Sequence, residues 1–484
     1  MKKIKLIIFI CLIFLLILVL FYGIFGINLS FKSIDKIKEK REYKDFFSEN
    51  IKVNGVDLLY DKNTNIYYYT ISQDYENKNY IFKLVLDNKY KYKIVDKKIN
   101  IINVDYNDII DVIIYNKKNY YNIKIQLTNL PLVNITSESE ITTENQNTVF
   151  TYINNGIKEN YFSKNSKIKV RGATSQKLDK KSYRVNFYNK FYTKEEKVMI
   201  SNFYLGDSLI LDALYRDSSK IRNLLSTELW NSISKDFSNV NIYSEFVEVF
   251  INNEYKGLYL LTEPVNRSKF NLNKNSNNDT GFIVKSTLGV LEVKYPNETE
   301  FIPMVEEKVI EIISNYMKTK TDSSFETINN TFDLTNYVDI IIFNYFINNI
   351  DNRLDQNVYY YNNSLNEDVL YVQPWDMEWS FGIIPGSEFR DAKYFDCLIN
   401  HPNAKEINEM IIKRYWELRK NILTEEYFDY YISRYLYELN KGATQRDSLK
   451  WVEYDIELEL EKIKLWIKDR IKYVDEYIKG IEND

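Results

Sequence analysis

The run Tyr337-Val-Asp-Ile-Ile-Ile-Phe-Asn-Tyr-Phe-Ile347 constrains the fold of this chain more than any other stretch. It predicts a helix over Leu334–Ile347 that is apolar nearly all round, so a core must surround it. The helix runs into a polar loop, Asn348-Asn-Ile-Asp351-Asn-Arg353-Leu-Asp355-Gln-Asn357. Two β-rich segments follow, Val358–Tyr361 and Val369–Val372, and the second leads into Gln373-Pro-Trp-Asp376-Met-Glu378-Trp-Ser-Phe-Gly382. The order is buried helix, acidic loop with an amide, β-hairpin, second acidic loop.

That set matches the needs of phosphoryl transfer. One carboxylate orients an attacking hydroxyl, while an Asn and a second carboxylate hold divalent cations that bridge phosphates. Taken singly, an Asp-rich turn is ordinarily only a turn, and a Trp-Asp pair after a strand ordinarily serves packing. Two acids flanking one hairpin, with an amide between them, favour the chemical reading.

Composition removes several alternatives. With one histidine and two cysteines, a His/Cys zinc site cannot be assembled. Cys11 lies in the N-terminal apolar run, which argues against a disulfide with Cys397. A His-dependent nucleophile would require His401, in the turn-like Asn400-His401-Pro402. Lys+Arg 64 against Asp+Glu 68 leaves no basic excess, which argues against a nucleic-acid partner. Chemistry here rests on carboxylates, amides, Lys and Arg, and oxygen ligands suit Mg²⁺ or Mn²⁺.

At 484 residues the chain has room for two or three domains. Ile4–Leu29 is almost wholly apolar after Lys2, Lys3 and Lys5, long enough to cross a bilayer. Residues 1–29 are therefore expected to be a single-pass membrane anchor, with a cleaved signal peptide as the alternative. Lysines on both flanks leave the orientation open. Residues 30–44 read as a linker. Residues 45–128 alternate short β-rich runs with polar turns and predict a small antiparallel, sandwich-like domain. Residues 129–484 form the main domain, strands first and amphipathic helices from about Ala404 to Ile481.

Two more constellations lie upstream of the acids. Lys169-Val-Arg171-Gly172-Ala-Thr-Ser175 and Lys180-Lys181-Ser-Tyr-Arg184-Val-Asn-Phe187 predict two strands joined by a hydroxyl-bearing loop. Such a loop can lie over phosphates, and a strand lysine can reach their oxygens. The alternative is a surface hairpin with solvated lysines. Asp217–Trp230 predicts a helix capped by Asp217 or Ser218. Phe246–Ile251 and Leu258–Leu261 predict a hairpin ending at Glu263-Pro264, where Glu263 is either a nucleotide-side acid or a strand-end acid paired with a nearby Arg.

In order, Leu130-Pro-Leu-Val, Val170-Arg-Gly-Ala-Thr-Ser175, Lys180–Phe187, Arg222-Asn223, Gly257-Leu-Tyr-Leu-Leu-Thr-Glu263, Asp351–Asn357 and Pro374-Trp-Asp-Met-Glu378 resemble the CotH family over about residues 130–480. The resemblance implies an α+β fold, an atypical two-lobed protein kinase using ATP and Mg²⁺ or Mn²⁺ to phosphorylate Ser residues of spore-coat proteins. It makes Asp351 the catalytic-loop acid, with Arg353 beside it and Asp355 as a rival. Asp376, Asn357 and Glu378 become the metal ligands, and Glu378 stands where the family tends to have Asp. Lys181 becomes the phosphate-contacting lysine, with Lys180 an equally placed neighbour, and Arg171, Arg222 and Glu263 line the nucleotide side. The spacing from Asp351 to Asn357 is one residue longer than is usual in kinases. Rival readings are a non-catalytic coat or envelope scaffold on the same fold, nucleotidyl transfer at the same site, and a carboxylate-pair glycosidase.

Overall fold

The computed structural model describes residues 33–43, 50–71, 82–95, 109–154, 161–172, 175–200, 204–234, 242–270, 272, 279–287, 290–298, 300–318, 325–349, 351–352, 356–383 and 403–483. The anchor expected over residues 1–29 lies outside them, as do Arg353, Asp355, Cys397 and His401. Among the described residues no helix is long and apolar enough to cross a membrane.

Strands dominate the first half of the chain and helices the last third, the α+β order expected. Seven strands close a barrel: β1 (Leu132–Ser137), β2 (Gln146–Ile153), β3 (Tyr161–Arg171), β4 (Ser182–Phe187), β5 (Ser208–Asp212), β6 (Ser244–Ile251) and β7 (Glu254–Thr262), in the order β1-β2-β3-β4-β5-β7-β6. A second sheet has the order β9-β8-β10-β11, from β8 (Phe282–Thr287), β9 (Val290–Tyr295), β10 (Val358–Asn362) and β11 (Tyr371–Pro374). The main helices are α1 (Arg222–Ile233), α2 (Ile302–Lys318), α3 (Leu334–Ile347), α4 (Lys405–Leu418), α5 (Glu425–Lys450) and α6 (Ile456–Asn483).

The chain divides into two units. The first comprises residues 1–136, 150–163 and 248–256. Its six-stranded sheet departs from the antiparallel sandwich expected, because Ile66–Thr70 pairs in parallel with Lys124–Thr128. Tyr67, Tyr68, Tyr69 and Thr70 are all buried, so this strand is covered on both faces instead of alternating. Burial on both faces is characteristic of parallel pairing. Strands Lys52–Val53, Val56–Asp57 and Leu84–Val85 form a separate three-stranded sheet. The turn Asn252-Asn253 has both residues at positive φ (50° and 59°), the conformation a two-residue hairpin needs and Asn tolerates.

The second unit holds the remaining residues. Here β3, β4, β5 and β7 are successive antiparallel neighbours. Ile210 of β5 packs in one apolar cluster with Ile283, Tyr359, Tyr361 and Trp375. Side chains alternate along a strand, so Asp212 follows Ile210 on the same face of β5. The apolar contact thereby delivers a carboxylate to the edge of the cluster.

Helix α3 has the bounds expected of it. Asp333 caps it by accepting from Asn336 N at 2.9 Å, and Asn348 ends it in the left-handed region, φ 48°. Asn336 reads the backbone of β11 like an extra strand. Its Nδ2 donates to Val372 O at 3.1 Å and its Oδ1 accepts from Val372 N at 2.7 Å. Asp339 of α3, fully buried, takes Arg414 of α4 at 2.8 Å. Helix α1 begins at Arg222, later than the Asp217 or Ser218 start expected. Leu214 and Lys220 adopt positive φ (50° and 63°) and keep the approach non-helical. Asp217 still satisfies the helix, its Oδ2 accepting from Arg222 N at 2.9 Å.

Candidate functional site

Pairing of β10 with β11 sets Val358 opposite Pro374, so the residues just outside the ladder, Asn357 and Trp375, also meet. Trp375 N donates to Asn357 O at 2.9 Å. The amide of Asn352, 1 % exposed, completes the junction: its Nδ2 donates to Asn357 O at 3.1 Å and to Trp375 O at 3.0 Å. One side chain thus ties the loop after α3 to both ends of the hairpin. Asn357 in turn donates through Nδ2 to Asp351 O at 2.9 Å and Asp351 Oδ2 at 3.0 Å, and Gln356 Nε2 donates to Asp351 Oδ1. Asn357 and Asp376 hold positive φ (55° and 61°), a strained conformation that concentrates at functional sites.

A second tie comes from the first turn of α1. Asn223 Nδ2 donates to Asp212 Oδ2 at 3.2 Å, and its Oδ1 accepts from Met377 N at 3.3 Å. Asp212, at the end of β5, also accepts from Leu214 N at 3.3 Å. The loop after Asp376 is pinned by Ser380, whose Oγ donates to Met377 O at 2.7 Å and whose carbonyl accepts from Arg222 Nε at 3.1 Å. Gly382 closes the loop against an indole. A Cβ there would stand 2.4 Å from Trp466 Cδ1.

Crowding of acids shows in their proton affinities. Asp376 is open to solvent but densely ringed by protein. The desolvation by that surrounding protein raises its pKa; Arg171 and Lys285 pull it down, while Asp212 and Asp351 push it up. Glu378 is pushed up to about 8, by burial first and then by Asp376 and Asp212. Arg216, 3.9 Å away, offsets only part of this. The arrangement holds excess negative charge that a divalent cation would relieve.

A family model described as CotH kinase protein matches residues 168–474, more than half of the chain. The chain belongs to the CotH kinase family. No curated protein matches it. The family match spans β4, the acids around the hairpin and all but the end of α6.

Within this CotH-family chain the expected site residues fall into two sets. Asp351, Asn357, Asp376, Glu378 and Arg171 are linked pairwise: Asn357 to Asp351 by a hydrogen bond, and Asp351, Arg171 and Glu378 to Asp376 through their charges. Lys181 and Glu263 are engaged elsewhere, and Arg222 touches the loop after Asp376 through Ser380 O. Lys181 Nζ donates to Gln176 O at 2.8 Å and to Leu178 O, closing its own loop. Arg222 is buried against Asp217, Nη1 to Oδ1 2.6 Å. Glu263 accepts from Tyr243 N at 2.8 Å and pairs with Lys269. Lys180 is also inward: with its side chain fully buried, its Nζ lies 2.6 Å from Asp447 Oδ1.

Sequence reasoning missed Asn352, Asp212 and Lys285. Asp212 ends the apolar run Ser208-Leu-Ile-Leu-Asp212, and Lys285 interrupts the apolar strand Phe282-Ile-Val-Lys285. A lone charge in a strand that must be buried is a usable signal, because burial without a purpose is costly.

The family implies ATP and a divalent cation. Among the described residues no group of three or more His, Cys, Asp or Glu side chains gathers closely enough to hold a metal. Mg²⁺ does not demand such a cage; it takes one or two carboxylates and completes its shell with phosphate oxygens and water. Asp376 with Asn357 or Asp351 supplies one or two carboxylates and an amide oxygen, which fits that mode.

Proposed function

We propose that the chain is a protein kinase that transfers the γ-phosphoryl group of ATP to a serine or threonine hydroxyl. Asp351 accepts the hydroxyl proton as the oxygen attacks. Asn357 steadies Asp351 through its Nδ2, and Asp376, with Asn357 beside it, would hold Mg²⁺ or Mn²⁺. When bound, the cation neutralises the phosphate oxygens. Asn352 keeps the loop and the hairpin ends at fixed spacing, and this three-way tie carries the reading. Spore-coat or cell-surface proteins are the proposed substrates, and Ile4–Leu29 the proposed membrane attachment.

The test is phosphate transfer from labelled ATP to a Ser-rich acceptor by the full-length protein, with and without Mg²⁺ or Mn²⁺. Asp376→Ala should lower turnover about a hundred- to thousandfold, the scale for loss of one electrostatic stabiliser. Undiminished turnover in Asp376→Ala sinks the assignment. A second reading, a non-catalytic scaffold, draws on the inward turn of Lys181 and on Glu378 in place of Asp. It requires that calorimetry detect no Mg-ATP binding dependent on Asp376.

A further inference from the structure

We propose that Lys285 and Arg171 together form the phosphate clamp of this site, gripping the oxygens of a nucleoside triphosphate from the β8 side. The proposal rests on the kinase reading above and names the residues that reading lacked, since Lys181 and Lys180 are both committed elsewhere.

The placement follows from strand register. Lys285 lies opposite Tyr359 on β10, two residues beyond Asn357. Opposed residues share a face, so Lys285 shares the face of Ile283, Tyr359 and Tyr361, the face that packs on Ile210. Tyr359 meets Trp375 edge to face, ring centroids 5.7 Å apart, and Trp375 precedes Asp376. Lys285 therefore stands at the rim of the apolar cluster on the side of the acids. Arg171 ends β3, opposite Ser182, whose Oγ lies 3.4 Å from Asp212 Oδ1. The two cations approach the acids from different sheets.

Both cations are half-buried, yet among the described residues neither side chain makes a hydrogen bond or a close ion pair. The acid opposite Lys285 on β9, Glu292, is taken by Lys294. Arg184, the other arginine near Tyr359, is occupied by Asn186 Oδ1 and Ser208 Oγ at 3.2 Å each. Lys285 and Arg171 are close enough to repel: burial and the Arg171 charge both lower the pKa of Lys285, while Asp376 raises it. At Lys285 the repulsion from Arg171 outweighs the attraction of Asp376, so the carboxylate offsets only part of the conflict between the two cations. A polyanion carrying its own cation, set between them and Asp376, removes the rest.

The experiment is calorimetry of the full-length wild type, Lys285→Gln, Lys285→Arg and Arg171→Gln with Mg-ATP and, separately, with inorganic tripolyphosphate. Lys285→Gln and Arg171→Gln should each weaken both ligands about ten- to a hundredfold, the scale for one charged hydrogen bond, with Lys285→Arg recovering most of the loss. Wild-type binding that survives both Gln variants within twofold overturns the clamp and leaves the kinase reading standing. Wild-type binding of tripolyphosphate alone, lost in Lys285→Gln, keeps the clamp and removes the kinase reading. Binding of neither ligand by the wild type removes both. Thermal melts accompany each variant, and Arg171→Gln decides the matter where Lys285→Gln fails to fold.

Discussion

Replacing Asp447 by Asn removes one charge from a buried site that holds three. Asp447 Oδ1 lies 2.6 Å from Lys180 Nζ, in a pair whose side chains are 0 % and 1 % exposed, and it also accepts from Leu258 N at 2.9 Å. Its Oδ2 faces Lys220 at 3.7 Å and accepts from Tyr454 OH at 3.3 Å. The two ammonium groups also lie over aromatic rings, Lys180 4.6 Å from the Tyr259 centroid and Lys220 4.2 Å from that of Tyr454. One carboxylate thus serves two buried cations. Asn keeps the shape but removes the carboxylate that both lysines contact, leaving Lys180 the weaker pull of Asp212 and Lys220 those of Asp217 and Asp212, a change that costs about 3–5 kcal/mol when one member of a buried pair is lost. The pH dependence has a definite sign. Burial already pushes Lys180 down to about 8 in the folded protein against the ordinary 10.5, even with Asp447 pulling it up. Above about 8 the unfolded chain binds the extra proton and the folded chain does not, so this lysine makes stability rise with pH up to about 10.5. Without Asp447 the folded-state pKa falls further and the rise begins lower, so the deficit of Asp447→Asn should be largest near pH 6 and shrink by pH 9. Urea titrations followed by tryptophan fluorescence at pH 6, 7 and 9 measure it, read from the midpoint at constant slope. Adding Lys180→Met to Asp447→Asn should recover part of the loss. A deficit under about 1 kcal/mol at pH 6, or one that grows with pH, refutes the reasoning.

Gly257→Ala tests the same site from the backbone. Gly257 has φ +100° and a Cβ there would stand 2.2 Å from Asp447 Oδ1 and 3.0 Å from Trp451 Nε1, so a loss of about 1–3 kcal/mol is expected in thermal melts, and no loss would mean the carboxylate has room to move. Asn352→Ala removes two buried hydrogen bonds and leaves Trp375 O to find another donor, about 2–3 kcal/mol of stability. Because Asn352 sets the spacing of Asp351, Asn357 and Asp376, kcat should fall about ten- to a hundredfold with the KM for ATP little changed. A kcat within twofold of wild type would show that the tie serves folding alone.

What could be read from the sequence was local. The α3 helix showed its bounds, Leu334–Ile347, and its all-round apolar surface in one window, and both agree with the structure. The hairpin after it was legible in kind but not in register: β11 begins at Tyr371 instead of Val369. Leu370 N is drawn to Thr331 O at 2.8 Å, and Val372 is gripped by Asn336, contacts that no β-propensity of residues 369–372 encodes. Helix α1 was placed too early for a similar reason. Asp217 reads as a cap because it stands before a helical pattern, yet it binds Ser219 N at 2.9 Å and Arg222 N and Nη1, stabilising a non-helical approach. In the first unit the short β-rich runs were visible, but parallel pairing of Ile66–Thr70 depends on what covers its second face.

The lysine pair shows the limit most sharply. Lys180 and Lys181 are adjacent, chemically identical and both at the entry to β4, so propensity and pattern treat them alike. The pleat turns them to opposite sides, and each side is then decided by distant chain. Lys180 meets a carboxylate 267 residues later, while Lys181 meets only the carbonyls of its own loop. Asp447 in turn looks like any other acid on the charged helix α5, and nothing within ten residues of it marks it as buried. Gly257 does carry a trace, because a glycine between Lys256 and Leu258 in a strand implies close approach by some other group. A strand glycine with no bulge of its own, paired with an unexplained acid on a helix, is therefore a searchable combination. Here it would have assigned Lys180 to the interior, leaving Arg171 and Lys285 as the cations beside Asp376.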